Sequence, residues 1–155
     1  MNTAQGDGLA RRILDVAPLL GRSLERHLRE HDQRMDATHV QILSMLVERP
    51  HSISELAARQ HVSLPSMSKT IQTLVDRGWT ERTPDAHDQR VVRVRLTVSG
   101  GDALREARAA MLSGVEAALS ALSDRERALV AEALAVLERA LAAAAPPSAG
   151  PGGPA

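Results

Sequence analysis

The chain has 155 residues and balances 19 basic against 19 acidic side chains, so affinity for a polyanion must come from a local patch and not from overall charge. It contains no cysteine, which excludes disulfides, thiolate zinc sites and cysteine-based redox sensing. No apolar run approaches the roughly 20 residues needed to span a bilayer and no signal peptide opens the chain, so a cytoplasmic protein of one domain with an extended dimerisation element is expected.

Residues 1–8 are polar and Gly-containing and read as a disordered N-terminus. From Leu9 to about Glu30, Leu9, Ile13, Leu14, Ala17, Leu20, Leu24 and Leu28 recur at helical spacing, with Pro18 inside the run predicting a kink or a frayed first half. Thr38-His-Val-Gln41 has the form of a capping box and opens a second helix that Pro50 stops. Ser52-Ile-Ser-Glu55 is another such box and opens a third.

Ser63 is the expected N-cap of a fourth helix, with Pro65 tolerated in its first turn and Gly78 ending it. Leu64, Met67, Ile71, Leu74 and Val75 form its apolar face. Ser66, Lys69 (the only lysine), Gln72, Thr73 and Asp76 lie opposite, with Ser68 on the flank. No carboxylate occurs between Glu55 and Asp76, as a helix approaching phosphates requires.

Two short strands follow, Trp79 to Thr83 and Val91 to Thr97, joined by Pro84 to Gln89. In the second, Val92, Val94 and Leu96 alternate with Arg93 and Arg95, which predicts outward-facing arginines that touch backbone at most, and Trp79 reads as a core residue at the helix-to-strand corner. Ser99-Gly-Gly-Asp102 caps a helix over about 101–120, and Ser123-Asp-Arg-Glu126 caps the last one. The Pro-, Gly- and Ala-rich residues 145–155 read as a disordered tail.

Helix, turn, helix and hairpin with an arginine near its tip is the order of a winged helix-turn-helix, in which one helix enters the major groove and the wing reaches the minor groove. The expected fold is mainly α with a small β-wing. A dimerisation helix (9–34), a winged helix-turn-helix DNA-binding domain (35–98) and C-terminal dimerisation helices (99–144) make up the ordered chain. The first, fifth and sixth helices carry more Leu, Val and Ala than a winged domain of about 60 residues can cover, which favours a dimer.

Leu74 to Thr97, with its helix end, glycine, strand, Asp-x-Arg wing and strand ending in Leu-Thr, resembles the MarR family of bacterial transcriptional regulators, and the resemblance extends over about Leu9 to Leu141. It implies a homodimer on a pseudo-palindromic operator in double-stranded DNA, repressing transcription and released by a small-molecule effector such as an apolar or aromatic acid. No cofactor and no catalysis are implied. Asp88 and Arg90 match the Asp-x-Arg positions, the arginine entering the minor groove and the aspartate holding it, while Ser66, Ser68, Lys69, Gln72 and Thr73 fall on the recognition helix. Two departures stand out: Gln89 replaces a frequent second wing arginine, weakening the anchoring, and the bulkier but still apolar Trp79 follows the glycine.

A different function class is a small-molecule or metal-binding protein that uses the same fold without DNA. His27-Leu-Arg-Glu-His31 matches a zinc-peptidase pattern, and histidines four apart share a helix face. Catalytic zinc would need a third ligand, a substrate cleft and a larger domain. His27 and His31 therefore stand only as weak metal candidates, either a regulatory site or a solvated pair.

Overall fold

The computed structural model describes residues 3–32, 35–85 and 91–144, with side chains from residue 8 onward. Residues 145–155, read above as a disordered tail, lie outside the described residues, as do Asp88 and Arg90 of the wing. The chain forms two compact units, residues 1–115 and residues 116–155.

The first unit opens with α1 (Thr3–His31), which contains Pro18. The helix begins before Leu9, where the sequence reading starts it. Extending a formed helix costs far less than nucleating one, so Gly6 and Gly8 do not prevent the added turn. Next comes α2 (Ala37–Glu48), whose N-cap is Asp36 and not Thr38. Asp36 Oδ1 accepts from the His39 backbone N–H at 2.8 Å, and His39 Nδ1 accepts from that of Asp36 at 3.3 Å. The histidine ring thus takes the place usually held by Glu or Gln in a capping box.

A two-residue strand, β1 (His51–Ser52), leads into α3 (Ile53–Arg59). As expected, Ser52 and Glu55 form the capping box of α3. The helix ends in a Schellman motif: Val62 N–H donates to the Ala57 carbonyl and His61 N–H to that of Ala58, with His61 at φ 52°. Then α4 (Leu64–Asp76) starts from its Ser63 cap and ends in a second Schellman motif, with Gly78 at φ 72°. Glycine adopts that φ at no steric cost, which is why the helix stops there.

Strands β2 (Thr80–Pro84) and β3 (Val92–Leu96) form the hairpin, and the antiparallel sheet has the order β1-β3-β2. His51 pairs with Val94 and Ser52 with Arg93 on one side of β3, and Arg82 pairs with Val94 on the other. The core gathers Leu28, Ile42, Leu43, Leu56, Met67, Ile71, Leu74, Trp79, Val94 and Leu104. Met67, Ile71 and Leu74 are the inward face of α4 as predicted, whereas Leu64, at the exposed first turn, stays in solvent.

Helix α5 (Val98–Leu119) starts earlier than expected because its cap is Thr97, not Ser99. Thr97 Oγ1 accepts from Gly100 N–H at 3.0 Å and donates to the Gly78 carbonyl at 2.6 Å, so one hydroxyl joins the start of α5 to the end of α4. In the second unit α6 (Asp124–Ala144) is capped by Ser123 with Glu126, as the sequence predicts. Among the described residues α6 buries none, and Leu129, Leu134, Val136 and Leu141 are exposed.

Candidate nucleic-acid interface

Capped at Ser63 and anchored by Met67, Ile71 and Leu74, α4 turns its other face outward. Ser66, Lys69 and Gln72 are exposed, and Ser68 and Thr73 are half-buried beside them. Lys69 forms no ion pair among the described residues, which leaves its ammonium available to a phosphate or a base edge. Ser66, Gln72 and Thr73 carry bonds within the helix or to its cap. Ser63 Oγ donates to Ser66 Oγ at 3.0 Å, Thr73 Oγ1 donates to the Lys69 carbonyl, and Gln72 Nε2 donates to Asp76 Oδ1 at 2.7 Å. That last bond uses one of the two Gln72 amide hydrogens and leaves the other, with Oε1, open to a base edge. Thr70, which the sequence pattern does not single out, shares this face and donates to the Ser66 carbonyl.

The hairpin projects from the same unit. Asp85 N–H donates to the Val91 carbonyl at 2.8 Å, closing the base of the wing below residues 86–90. Arg95 is exposed, 3.8 Å from Glu81, and matches the expectation for an outward strand residue. Arg93 does not. Its Nε donates to Asp85 Oδ2 at 2.5 Å and its Nη1 to Glu55 Oε2 at 2.8 Å, so the guanidinium bridges the wing base and the first turn of α3. Period-2 alternation says which way a strand residue points but not which distant carboxylates wait there.

The charge environment agrees with this geometry. Burial pushes the Glu55 carboxyl up, but the Ser52 backbone N–H and the Arg93 and Arg49 guanidiniums outweigh it and hold Glu55 below its ordinary value. The Asp85 hydrogen bond, helped by Glu55, raises Arg93 against the opposing effect of burial.

Two histidines lie in the core beside this assembly. His51 is fully buried and neither ring nitrogen makes a full hydrogen bond; Glu55 Oε2 stands 3.7 Å from Nδ1 and the Met45 backbone offers a weaker polar contact. Burial, reinforced by Arg49 and Arg59, lowers its pKa despite Glu55. Burial likewise lowers His39, with Arg77 adding to it and Asp36 opposing. Both rings are therefore held neutral when folded, while the unfolded chain takes up protons near the ordinary value of 6.5. Below that pH the unfolded state binds more protons, so stability is complete above about 6.5 and falls as the pH drops toward the depressed folded values. Urea midpoints should decline from pH 7.5 to pH 5, and His51→Met should lose less over that range; a flat profile for the parent chain would contradict the buried neutral rings.

The two histidines singled out as weak metal candidates each have a partner of their own. His27 Nδ1 donates to the Ser23 carbonyl at 2.7 Å with its ring against Gly114, and His31 Nε2 lies 3.8 Å from Glu106. Among the described residues no group of three metal-binding side chains comes together.

A model of the MarR family matches residues 35–91, the segment from the cap of α2 through the hairpin loop. That segment is similar to the MarR family. An HTH-type transcriptional regulator of Mycobacterium tuberculosis is 35% identical over 78 residues, which cover 50% of this chain and 54% of that relative, so the match spans about half the relative's length. Solved structures extend the likeness in fold to nearly the whole chain. RV1404 of M. tuberculosis superposes with a TM-score of 0.76 at 19% identity, covering 92% of this chain and 96% of that one. A MarR family transcriptional regulator from Streptomyces coelicolor, Sco3205, solved in complex with DNA, gives 0.63 at 23% identity over 91% and 90%. No helix among the described residues is long and apolar enough to cross a membrane.

Proposed function

We propose that this chain is a homodimeric, sequence-specific DNA-binding regulator of the MarR family that represses transcription from a pseudo-palindromic operator and lets go when a small molecule binds. The observation that carries the reading is α4. Its apolar side is locked into the core, its outer face has no acid before Asp76, and Lys69 stands there unpaired among the described residues. Such a helix can lie against a polyanion without repulsion and present a cation and amide to base edges. The DNA held by the S. coelicolor neighbour supports the same reading for this fold.

The roles within the interface separate experimentally. Lys69→Ala and Gln72→Ala should change discrimination among operator variants, a good base contact being worth about 1–3 kcal/mol. Arg90→Ala should weaken binding to every site and reduce the salt slope by about 1, because it removes a cation from the groove. Fluorescence anisotropy with the chain's own upstream DNA, across salt and base substitutions, measures both. Equal losses for all three variants, with base preference and salt slope unchanged, would overturn the assignment.

For release, the effector must bind the DNA-incompetent arrangement more tightly than the competent one, because equal affinity shifts nothing. A cavity of about 290 Å³ is lined by Leu24, Leu28, Val40 and Met111, with Glu25 and Gln41 as its polar groups. That lining suits a small apolar molecule, and the Glu25 carboxylate favours a neutral or cationic one over an aromatic acid.

A further inference from the structure

Arg93 holds a position that neither a solvated strand residue nor a DNA-contacting cation would need. Its guanidinium uses two different edges on two carboxylates from different elements, Nε on Asp85 and Nη1 on Glu55. Glu55 is itself fixed, since the same Oε2 accepts the Ser52 backbone N–H at 2.7 Å and Oε1 lies 3.5 Å from Arg49. Asp85 begins the loop, and its N–H closes the last rung below residues 86–90. The three side chains are only 37%, 29% and 14% exposed for Glu55, Arg93 and Asp85, so water screens the bridge less than an ordinary surface pair.

We propose that Glu55, Arg93 and Asp85 form a charged strut that sets the angle of the wing against the helix-turn-helix, making Arg93 a positioning residue for wing docking and not a phosphate contact. The physical reason is that a two-stranded hairpin on its own is marginally stable and free to twist, while minor-groove entry demands a fixed angle. β1 pairs with β3 over only two residues, so backbone bonding on that side is slight. The strut supplies the missing cross-link: it connects the wing base to α3, the helix next to the recognition helix. Arginine suits it better than lysine, because its rigid planar fork holds separate N–H donors toward both acids, whereas the lysine ammonium is a compact charge on a flexible stem that fixes no angle between them.

The proposal rests on the DNA-binding reading for its functional half, and the test separates the two. Arg93→Gln and Arg93→Lys are compared with the parent chain in thermal melting, in amide exchange at Asp85, and in binding to the upstream DNA over a range of salt. Both variants should speed Asp85 exchange while melting as folded proteins, and both should weaken DNA binding about tenfold with the salt slope unchanged. The double variant Glu55→Gln/Arg93→Gln should bind no worse than Arg93→Gln alone, because the strut is already broken. A salt slope that falls by about 1 would make Arg93 a phosphate contact and overturn the proposal, as would parental DNA binding by Arg93→Lys. If the parent chain binds no DNA, the DNA reading has failed; Asp85 exchange then decides the strut, and parental exchange in both variants rejects it.

Discussion

A chain lacking residues 123–155 should behave as a monomer or an aggregate and bind its operator at least about 100-fold more weakly than the full-length protein, the factor gained when two modules engage two half-sites together. The deleted segment contains all of α6, which buries nothing among the described residues while exposing Leu129, Leu134, Val136 and Leu141. On the first unit α1 exposes Leu9, Leu14, Val16, Leu19 and Leu20. Apolar stripes of this length do not stay in water in a well-behaved monomer, and a second copy of the chain is the economical cover. Multi-angle light scattering at micromolar protein, paired with titrations of DNA carrying one or two half-sites, tests both parts. A monodisperse full-length monomer would refute the dimer, and a truncated chain that still prefers two half-sites over one would remove α6 from the interface.

How far the sequence was readable depended on how local each determinant is. Ser52 with Glu55, Ser63, Gly78 and Ser123 with Glu126 cap their helices as predicted, because each acts within a few residues of itself. Two caps were misplaced by chemistry that standard patterns omit. At the start of α2 a histidine side chain does the work of a glutamate, and at α5 Thr97 is chosen because its hydroxyl also reaches the Gly78 carbonyl. His61 was invisible as a helix stop, since its φ of 52° is a conformation glycine favours and histidine adopts less readily.

Long-range determinants were harder still. β1 has two residues and no periodicity, and exists because β3 offers His51 and Ser52 an edge. Arg93 sits where alternation places it, yet its partners come from the end of β2 and the start of α3, which only the folded sheet brings together. On α4 the sequence marked the polar face but not that Gln72 and Thr73 are tied down while Lys69 is left unpaired among the described residues.

Gly100→Ala should lower stability by about 3 kcal/mol or more, near the upper end of what overpacking costs. A Cβ at Gly100 would stand 2.0 Å from the Trp79 carbonyl oxygen and 2.8 Å from its carbon. That carbonyl cannot retreat. It accepts from Thr97 N–H at 3.1 Å, and the Trp79 N–H is bonded to the Leu74 carbonyl in the motif that ends α4. Helix α5 would have to move instead, breaking the Thr97 cap and uncovering Trp79, which is now 7% exposed. The higher helix propensity of alanine returns at most about 1 kcal/mol, too little to compensate. Gly114→Ala is the control. Its Cβ would come 2.3 Å from His27, but the obstacle there is a side-chain ring that can turn toward solvent, and the propensity gain offsets much of the cost. With a folded baseline of about 5–15 kcal/mol, the first substitution should lower the melting temperature by roughly 10 °C and the second by only a few degrees. Circular dichroism melts of the two variants measure the difference; equal shifts, or parental melting of Gly100→Ala, would mean that the contact between the start of α5 and Trp79 is looser than the close approach of Gly100 implies.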